Sequence, residues 1–210
     1  MSDAMVWKAN RLRVFISHLS SKQAEAASLK VALAEYGIDA FVAHADITPT
    51  SRWENTIEDA LRTCHSLVAL LHPGFHKSNW TDQEVGFVMG RNMPAFAVHL
   101  GEAPYGFLAK FQAFPLKGGD LSKLAHTLFK AYCRHEQTAG RLATYTALRF
   151  ADSSTFAAAK SRFSQLEEAT VWNEKLSKIV RDAVRDNGQT MYVRDKALRE
   201  IAEWDRDISS

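Results

Sequence analysis

The chain has only two cysteines among its 210 residues, Cys64 and Cys133, and they show no CxxC-type spacing. This scarcity argues against a disulfide framework and against a cysteine zinc site. Both cysteines fall in segments with a helical pattern, where we expect small core residues. The eight histidines lack metal-ligand spacing as well, because His72 and His76 bracket Pro73-Gly74, which interrupts any helix. We therefore expect no metal site.

Neither sign of charge dominates, since 26 Lys and Arg residues stand against 24 Asp and Glu residues and leave a net charge of +2. The absence of a basic stripe argues against a nucleic-acid partner. No segment approaches the roughly 18 apolar residues of a membrane span. The first 13 residues also lack the apolar core of a signal peptide. We expect a cytoplasmic protein that binds neither nucleic acid nor membrane.

Glycine is absent between Arg13 and Tyr36, which excludes a GxGxxG or P-loop phosphate cradle after the first predicted strand. Ser17 and His18 end that strand instead. Their residue types allow two interpretations, a serine–histidine nucleophile pair or a polar rim around a binding pocket. We keep both interpretations open at this point.

Apolar runs of strand length alternate with segments of helical spacing through the first two thirds of the chain. The predicted strands are Arg13–Ser17, Ile38–His44, Ser66–Leu71, Pro94–Val98 and a short one at Phe114–Leu116. This alternation favours a parallel sheet covered by helices on both faces. We predict an α/β domain of the flavodoxin-like layout over residues 10–136.

The pattern changes after residue 137, because no further strand-length apolar run occurs. We predict a C-terminal helical extension over residues 141–208 with three helices. They are Leu142–Phe150, a long helix from Thr155 to Val180 or beyond, and Tyr192–Trp204.

The segment from Ser78 to Glu84 follows the most apolar predicted strand and has the pattern of a helix start. Trp80 and Glu84 are four residues apart and therefore share a helix face. One interpretation makes Glu84 a capping-box partner of Thr81 or a first-turn acid that complements the helix dipole. The other places a carboxylate and an aromatic ring at the carboxyl end of a strand, where α/β folds bind ligands. Such a pair suits cleavage of a glycosidic or N-glycosidic bond.

The loop that follows the second strand carries Asp46, Pro49 and Arg52 and leads directly into Trp53. A second carboxylate for glycosidic chemistry is Asp46 or Asp82, although Asp82 points to a different helix face from Glu84. Trp53 is a core residue or an aromatic plane at the pocket mouth. Arg52 is a phosphate ligand or a solvated arginine of the first helical turn.

Several of these pieces together resemble the Toll/interleukin-1 receptor (TIR) domain in its bacterial form. They are Val14-Phe15-Ile16-Ser17-His18, Gly37-Ile38-Asp39-Ala40-Phe41-Val42, His44-Ala45-Asp46-Ile47-Thr48-Pro49, Trp53-Glu54-Asn55-Thr56-Ile57 and Ser78-Asn79-Trp80-Thr81-Asp82-Gln83-Glu84-Val85-Gly86. The resemblance covers about residues 10–135. It implies the same flavodoxin-like fold.

The resemblance also implies site residues. In enzymatic TIR domains the glutamate of a WxxxE motif is the catalytic residue of NAD glycohydrolase activity, and the matching residues here are Trp80 and Glu84. By the same resemblance, Trp53 would line the nicotinamide side of the pocket, and Ser17, His18 and Ser20 would border the NAD site. The BB loop would span about His44 to Arg52 and mediate self-association. Some members carry basic residues after the first strand, whereas this chain has Leu19 and Ser20, so no diphosphate contact is assigned.

Three functional hypotheses follow from the residues and the resemblance. The leading one is cleavage of NAD as substrate, without a further cofactor, giving ADP-ribose or a cyclic ADP-ribose isomer. The stand-alone bacterial TIR proteins that this chain resembles often use such a product as an immune signal to a separate effector in anti-phage (Thoeris-like) defence. The second hypothesis is a non-catalytic TIR–TIR interaction module. The third is a receptor that binds a nucleotide without cleaving it.

Overall fold

The computed structural model describes residues 7–43 and 53–207. The chain divides into two compact units, residues 1–128 and 129–210. The predicted domain limits, 10–136 and 141–208, remain a prediction.

The first unit alternates strands and helices, as the apolar pattern predicts. Its elements are β1 (Leu12–Ser17), α1 (Gln23–Ala34), β2 (Ile38–Val42), α2 (Trp53–Thr63), β3 (Ser66–Leu71), α3 (Asn79–Gly90), β4 (Ala95–His99), β5 (Phe114–Pro115) and the start of α4 (Leu121–Arg134). Gly37 ends the α1 segment with a φ of 72°, a left-handed conformation that favours glycine. The chain can therefore turn from α1 directly into β2.

All five strands are parallel and lie in the order β2-β1-β3-β4-β5. This is the flavodoxin-like strand order, so the predicted fold class is confirmed. The direction of strand addition reverses between β1 and β3. In sheets of this kind the crevice outside the carboxyl ends of the strands at that reversal is where ligands bind.

The core of the first unit lies on the sheet face that α2 and α3 cover. Phe15 of β1, Leu67 and Leu71 of β3, Ile57 of α2 and Val88 of α3 are buried in one cluster there. Side chains alternate between the faces of a strand. Val14 and Ile16 therefore point to the opposite face, where they are also fully buried. The strands are covered on both sides, which explains their nearly continuous apolar character.

The second unit contains the end of α4 and four further helices, α5 (Ala139–Ala151), α6 (Phe156–Leu166), α7 (Glu174–Asp186) and α8 (Arg194–Asp207). The prediction of three helices is wrong, because the long helix from Thr155 to Val180 is divided in two. Asn173 has an extended backbone, and its side chain accepts a hydrogen bond from Leu176 N at 3.0 Å. Asn173 therefore starts a new helix as its N-cap.

The C-terminal helices have an apolar core of their own. It includes Phe150, Phe163, Leu176, Val180, Ala197 and Ile201. Asp205 of α8 accepts hydrogen bonds from the Trp172 ring nitrogen at 2.9 Å, from Ser177 at 2.8 Å and from Arg181 at 2.8 Å. These bonds connect α8 to α7 and to the segment before it. Among the described residues no helix has both the length and the apolar character needed to cross a bilayer.

Candidate functional site

Two polar side chains meet at the carboxyl edge of the sheet, next to the strand reversal. Ser17 is the last residue of β1, and Glu84 lies in α3, the helix that follows β3. The Ser17 hydroxyl donates a hydrogen bond to Glu84 Oε2 at 2.5 Å. Both side chains are buried, with Ser17 at 0% and Glu84 at 6% exposure.

The strand period explains why these two residues meet. Ser17 has the same parity as Phe15, which faces the cluster under α2 and α3. On α3 the buried side comprises Thr81, Glu84, Val85 and Val88. Glu84 is the one acidic residue on that side, so the packing that buries Val85 and Val88 also carries its carboxylate to the end of β1.

Burial changes the proton affinity of Glu84. Desolvation raises the pKa of its carboxyl group from 4.5 to about 7, and the hydrogen bond from Ser17 partly opposes that rise. A carboxyl group with this pKa is about half ionised near neutral pH. Shifted carboxyl groups of this kind are common at functional sites, because burial tunes their chemistry.

The start of α3 shows that Glu84 is not a capping residue. Ser78 is the N-cap, and its side chain accepts from Thr81 N at 3.5 Å. Thr81 is already inside the helix, where its hydroxyl donates to Phe75 O at 2.8 Å. The capping-box interpretation of Thr81 and Glu84 is therefore wrong. The Glu84 carboxylate is directed at β1.

Trp80 lies one turn before Glu84 on α3, as its spacing predicts. Its side chain is 49% exposed, and Phe87, one turn after Glu84, is 38% exposed. Two aromatic side chains thus flank the buried carboxylate on the more exposed side of the helix. Trp80 is thus a half-exposed aromatic side chain one helical turn from Glu84.

The other predicted residues of the β1 end have different environments. His18 is buried, and its Nδ1–H donates to Ile16 O at 3.1 Å. Ser20 is exposed and begins a 3-10 turn, Ser20–Lys22, that leads into α1. Ser17 uses its hydroxyl on Glu84, so the serine–histidine nucleophile pair has no support in this geometry. The polar-rim interpretation is compatible with these positions.

Part of the predicted site lies outside the described residues. This applies to the loop of residues 44–52 with Asp46 and Arg52, and to the Trp53 side chain, although Trp53 is the first residue of α2. The assigned roles of these three residues remain predictions.

Sequence reasoning missed several polar side chains that hold the neighbouring loops. His72, directly after β3, lies with its Nε2 3.0 Å from Glu25 Oε2 of α1. Burial lowers the pKa of His72, although Glu25 acts in the opposite direction. After β4, Glu102 binds the turn that leads into α3, and Tyr105 binds the first turn of α3. The only sequence signal for His72 was its place after an apolar strand, and Glu102 and Tyr105 gave none.

The Ser17 hydroxyl gives a first test of the carboxylate environment. Ser17→Ala removes the one group that lowers the pKa of Glu84 and leaves burial unopposed. A hydrogen bond to a charged group contributes about 1.5–3 kcal/mol. Since one pKa unit equals about 1.4 kcal/mol, we expect the titration midpoint of Glu84 to rise by about one unit or more. Carbon-13 NMR of the side-chain carboxyl measures this midpoint.

Ser20→Ala is the matched control for Ser17→Ala, because it removes the hydroxyl of an exposed serine beyond the same strand. It should leave the Glu84 midpoint unchanged. A midpoint that stays constant or falls in Ser17→Ala would contradict the described hydrogen bond.

Comparison with known proteins identifies the family of the chain. The family model for the TIR domain matches residues 14–128, which is more than half of the chain. Among solved structures, the chain is similar to the TIR domain of the Toll-related receptor TRR-2 from Hydra magnipapillata. The two are 20% identical with a TM-score of 0.47, and the match covers 57% of this chain and 97% of that one. No curated protein sequence gives a significant match. Because the family model matches more than half of the chain, from within β1 through β5 and including Ser17 and Glu84, the chain belongs to the TIR domain family.

Proposed function

We propose that this TIR protein cleaves the bond between nicotinamide and ribose in NAD, with Glu84 as the catalytic residue. The observation that carries the proposal is the buried Glu84 carboxylate, held by Ser17 at the carboxyl edge of the sheet beside the strand reversal. A structural role alone would not require a carboxyl group at this position, because ionising it under α3 costs free energy. Retaining such a cost is typical of functional sites.

The chemistry suits an ionised carboxylate in a position of low polarity. When the bond between C1′ of the ribose and the nicotinamide nitrogen breaks, its electron pair goes to the pyridine ring. Nicotinamide then leaves as a neutral molecule, and the ribose carries an oxocarbenium-like positive charge. A nearby carboxylate stabilises this charge more strongly where water is excluded. Trp80, one turn away, supplies a flat apolar surface for a ring.

The second half of the reaction determines the product. Water that attacks C1′ loses a proton and gives ADP-ribose, whereas attack by an atom of the same molecule gives a cyclic isomer. The outcome depends on how the adenosine half is placed and how well water is excluded. We further propose that the protein self-associates through its BB loop, about His44 to Arg52. Its product would act as an anti-phage immune signal of the Thoeris type that reaches a separate effector.

Incubation of NAD with concentrated purified protein tests this function directly. Mass spectrometry would follow nicotinamide, ADP-ribose and any product isobaric with cyclic ADP-ribose. Nicotinamide release supports the enzyme, and the second product separates hydrolysis from cyclisation. No release at any protein concentration, with or without a crowding agent, would reject the proposal.

An interaction module without turnover is the second candidate. The exposed side chains of Trp80 and Phe87 on α3, together with Phe107 at 65% exposure, favour it because such aromatic side chains are common at protein interfaces. In that case alanine at Trp80 or Phe87 would weaken self-association measured by light scattering, while no nicotinamide would form.

A further inference from the structure

A short segment after β4 holds the part of the chain that carries Glu84. We call residues 101–105 the clamp segment. We propose that Glu102 and Tyr105 of the clamp segment are positioning residues, which fix α3 so that the Glu84 carboxylate stays buried against Ser17. The inference deepens the proposed function and rests on it for its catalytic consequence, but its geometric part stands independently.

Glu102 binds the turn between β3 and α3. One of its carboxylate oxygens accepts from Gly74 N at 2.7 Å, and the other accepts from His76 N at 3.1 Å and from His76 Nδ1 at 2.7 Å. Successive backbone N–H groups around a left-handed residue form a concave anion site, and Gly74 has a φ of 93°. Burial opposes the ionisation of Glu102, but these hydrogen bonds prevail and lower its pKa.

Tyr105 binds α3 itself. Its hydroxyl donates to Asp82 Oδ1, and its ring packs edge-on against Phe75 at a centroid distance of 6.4 Å. Burial and the Asp82 carboxylate raise the pKa of Tyr105, so it remains the hydrogen-bond donor. The contact with Asp82 lies two residues before Glu84.

Backbone hydrogen bonds hold the clamp segment against the end of β3. Leu100 N and Glu102 N both donate to Leu71 O at 3.1 Å, which ties the segment to the end of β3. Gly101 has a φ of 114°, and a Cβ atom there would lie 3.1 Å from the Pro73 ring. A side chain at position 101 would therefore strain the backbone and press on Pro73, so glycine suits the residue before Glu102.

These contacts form a continuous connection from β3 to the carboxylate. Glu102 holds the turn at residues 74–76, Phe75 O accepts the hydroxyl of Thr81, and Tyr105 holds Asp82. Thr81 and Asp82 lie within one helical turn of Glu84. A shift of this helix start would therefore move Glu84 away from Ser17 and admit water. A displacement of about 1 Å at a reacting group can reduce a rate by roughly a hundredfold.

The Glu84 carboxyl signal tests this inference without any need for activity. In full-length protein with Glu102→Ala or Tyr105→Phe, loss of the Ser17 hydrogen bond would raise the titration midpoint of Glu84. Water that reaches Glu84 replaces this donor and relieves desolvation, which is the larger cause, so the midpoint should fall. Nicotinamide release should fall about tenfold or more in the same variants.

The other titratable groups on α3 and on the elements that adjoin it keep their residue types in Glu102→Ala and Tyr105→Phe. They are Glu58, Asp59 and Arg62 of α2, Arg91 directly after α3, His18 after β1, His76 and Asp82. Burial raises the pKa of Glu84, and the hydrogen bond from Ser17 partly opposes that rise. A lower midpoint therefore reports reduced burial of Glu84, because loss of the Ser17 hydrogen bond alone would raise it. Tyr192→Phe, at a tyrosine that is 75% exposed in the second unit, is the matched control for Tyr105→Phe.

Each outcome has one meaning for the clamp. A lower Glu84 titration midpoint in folded Glu102→Ala and Tyr105→Phe supports the positioning role of the clamp segment. If the variants show this effect but the wild-type protein releases no nicotinamide, only the proposed function fails. An unchanged midpoint in folded variants overturns the clamp, even if the wild-type protein cleaves NAD. A merely structural role would lower the unfolding midpoint of the variants and leave the Glu84 titration of the folded molecules unchanged.

Discussion

Replacement of Glu84 by glutamine should reduce nicotinamide release by on the order of 100- to 1,000-fold. Glutamine has nearly the same shape, and its side-chain oxygen can still accept the Ser17 hydroxyl that now binds Glu84 Oε2. The substitution removes the negative charge that stabilises the ribose cation as nicotinamide leaves. The loss should appear mainly in kcat, because the charge acts on the transition state. Steady-state assays of nicotinamide formation across NAD concentrations measure it.

Glu58→Gln is the matched control for Glu84→Gln. Glu58 lies on the neighbouring helix α2, is exposed, and forms a surface ion pair with Arg62 at 3.1 Å. Such pairs contribute little to stability. This variant should retain wild-type turnover. Equal rates for Glu84→Gln and wild type would remove Glu84 from the chemistry and leave the interaction module as the better explanation.

The same substitution should stabilise the protein at alkaline pH, which is the second large effect that we expect. The pKa of Glu84 rises from 4.5 to about 7 on folding. An acid with a raised pKa contributes stability that is fully present below the unfolded pKa, and this contribution is lost as pH rises through the folded value. Above about pH 7 the free energy of unfolding of the wild-type protein is therefore lowered by the full cost of the buried charge. The Glu84→Gln variant has a neutral side chain and does not lose this stability.

From this shift, we expect Glu84→Gln to gain about 2–3 kcal/mol in the free energy of unfolding, relative to wild type, between pH 5 and pH 8. Urea unfolding of both proteins at the two pH values measures the gain. The stability of the wild-type protein should fall as the pH rises through about 7, whereas its rate of catalysis by the ionised carboxylate should rise over the same range. A stability difference that is the same at both pH values would contradict the burial of an ionisable Glu84.

The strands and helices of the first unit could be predicted because each strand is apolar and the connections contain residues that typically start or end helices and strands. β3 over Ser66–Leu71 agrees with the prediction residue for residue, since a parallel strand covered on both faces leaves an unbroken apolar run. α3 begins at Asn79, as the polar Ser78 before it indicates. Trp80 and Glu84 then share a helix side through the helical period alone.

The helix boundaries of the second unit were harder to predict, also for a physical reason. Residues 167–173 contain no glycine or proline to mark a helix end, so α6 and α7 resemble one long helix in sequence. The break depends on Asn173, which caps α7, and on Thr170, whose hydroxyl donates to Cys133 O at 2.5 Å. Contacts with a partner 37 residues away cannot be inferred from local periodicity.

For the first unit, the sequence by itself determined the succession of strands and helices along the chain, the flavodoxin-like class, and the placement of Ser17 and Glu84 after the carboxyl ends of their strands. These properties depend on periodicity and on short-range rules, which one chain contains in full. Only the tertiary structure decided that Glu84 is buried against Ser17 with a raised pKa, and that Glu102 and Tyr105 hold the helix that carries it. Burial and long-range hydrogen bonds depend on which segments pack together across the sheet, and a carboxylate acquires its chemical character only from that packing.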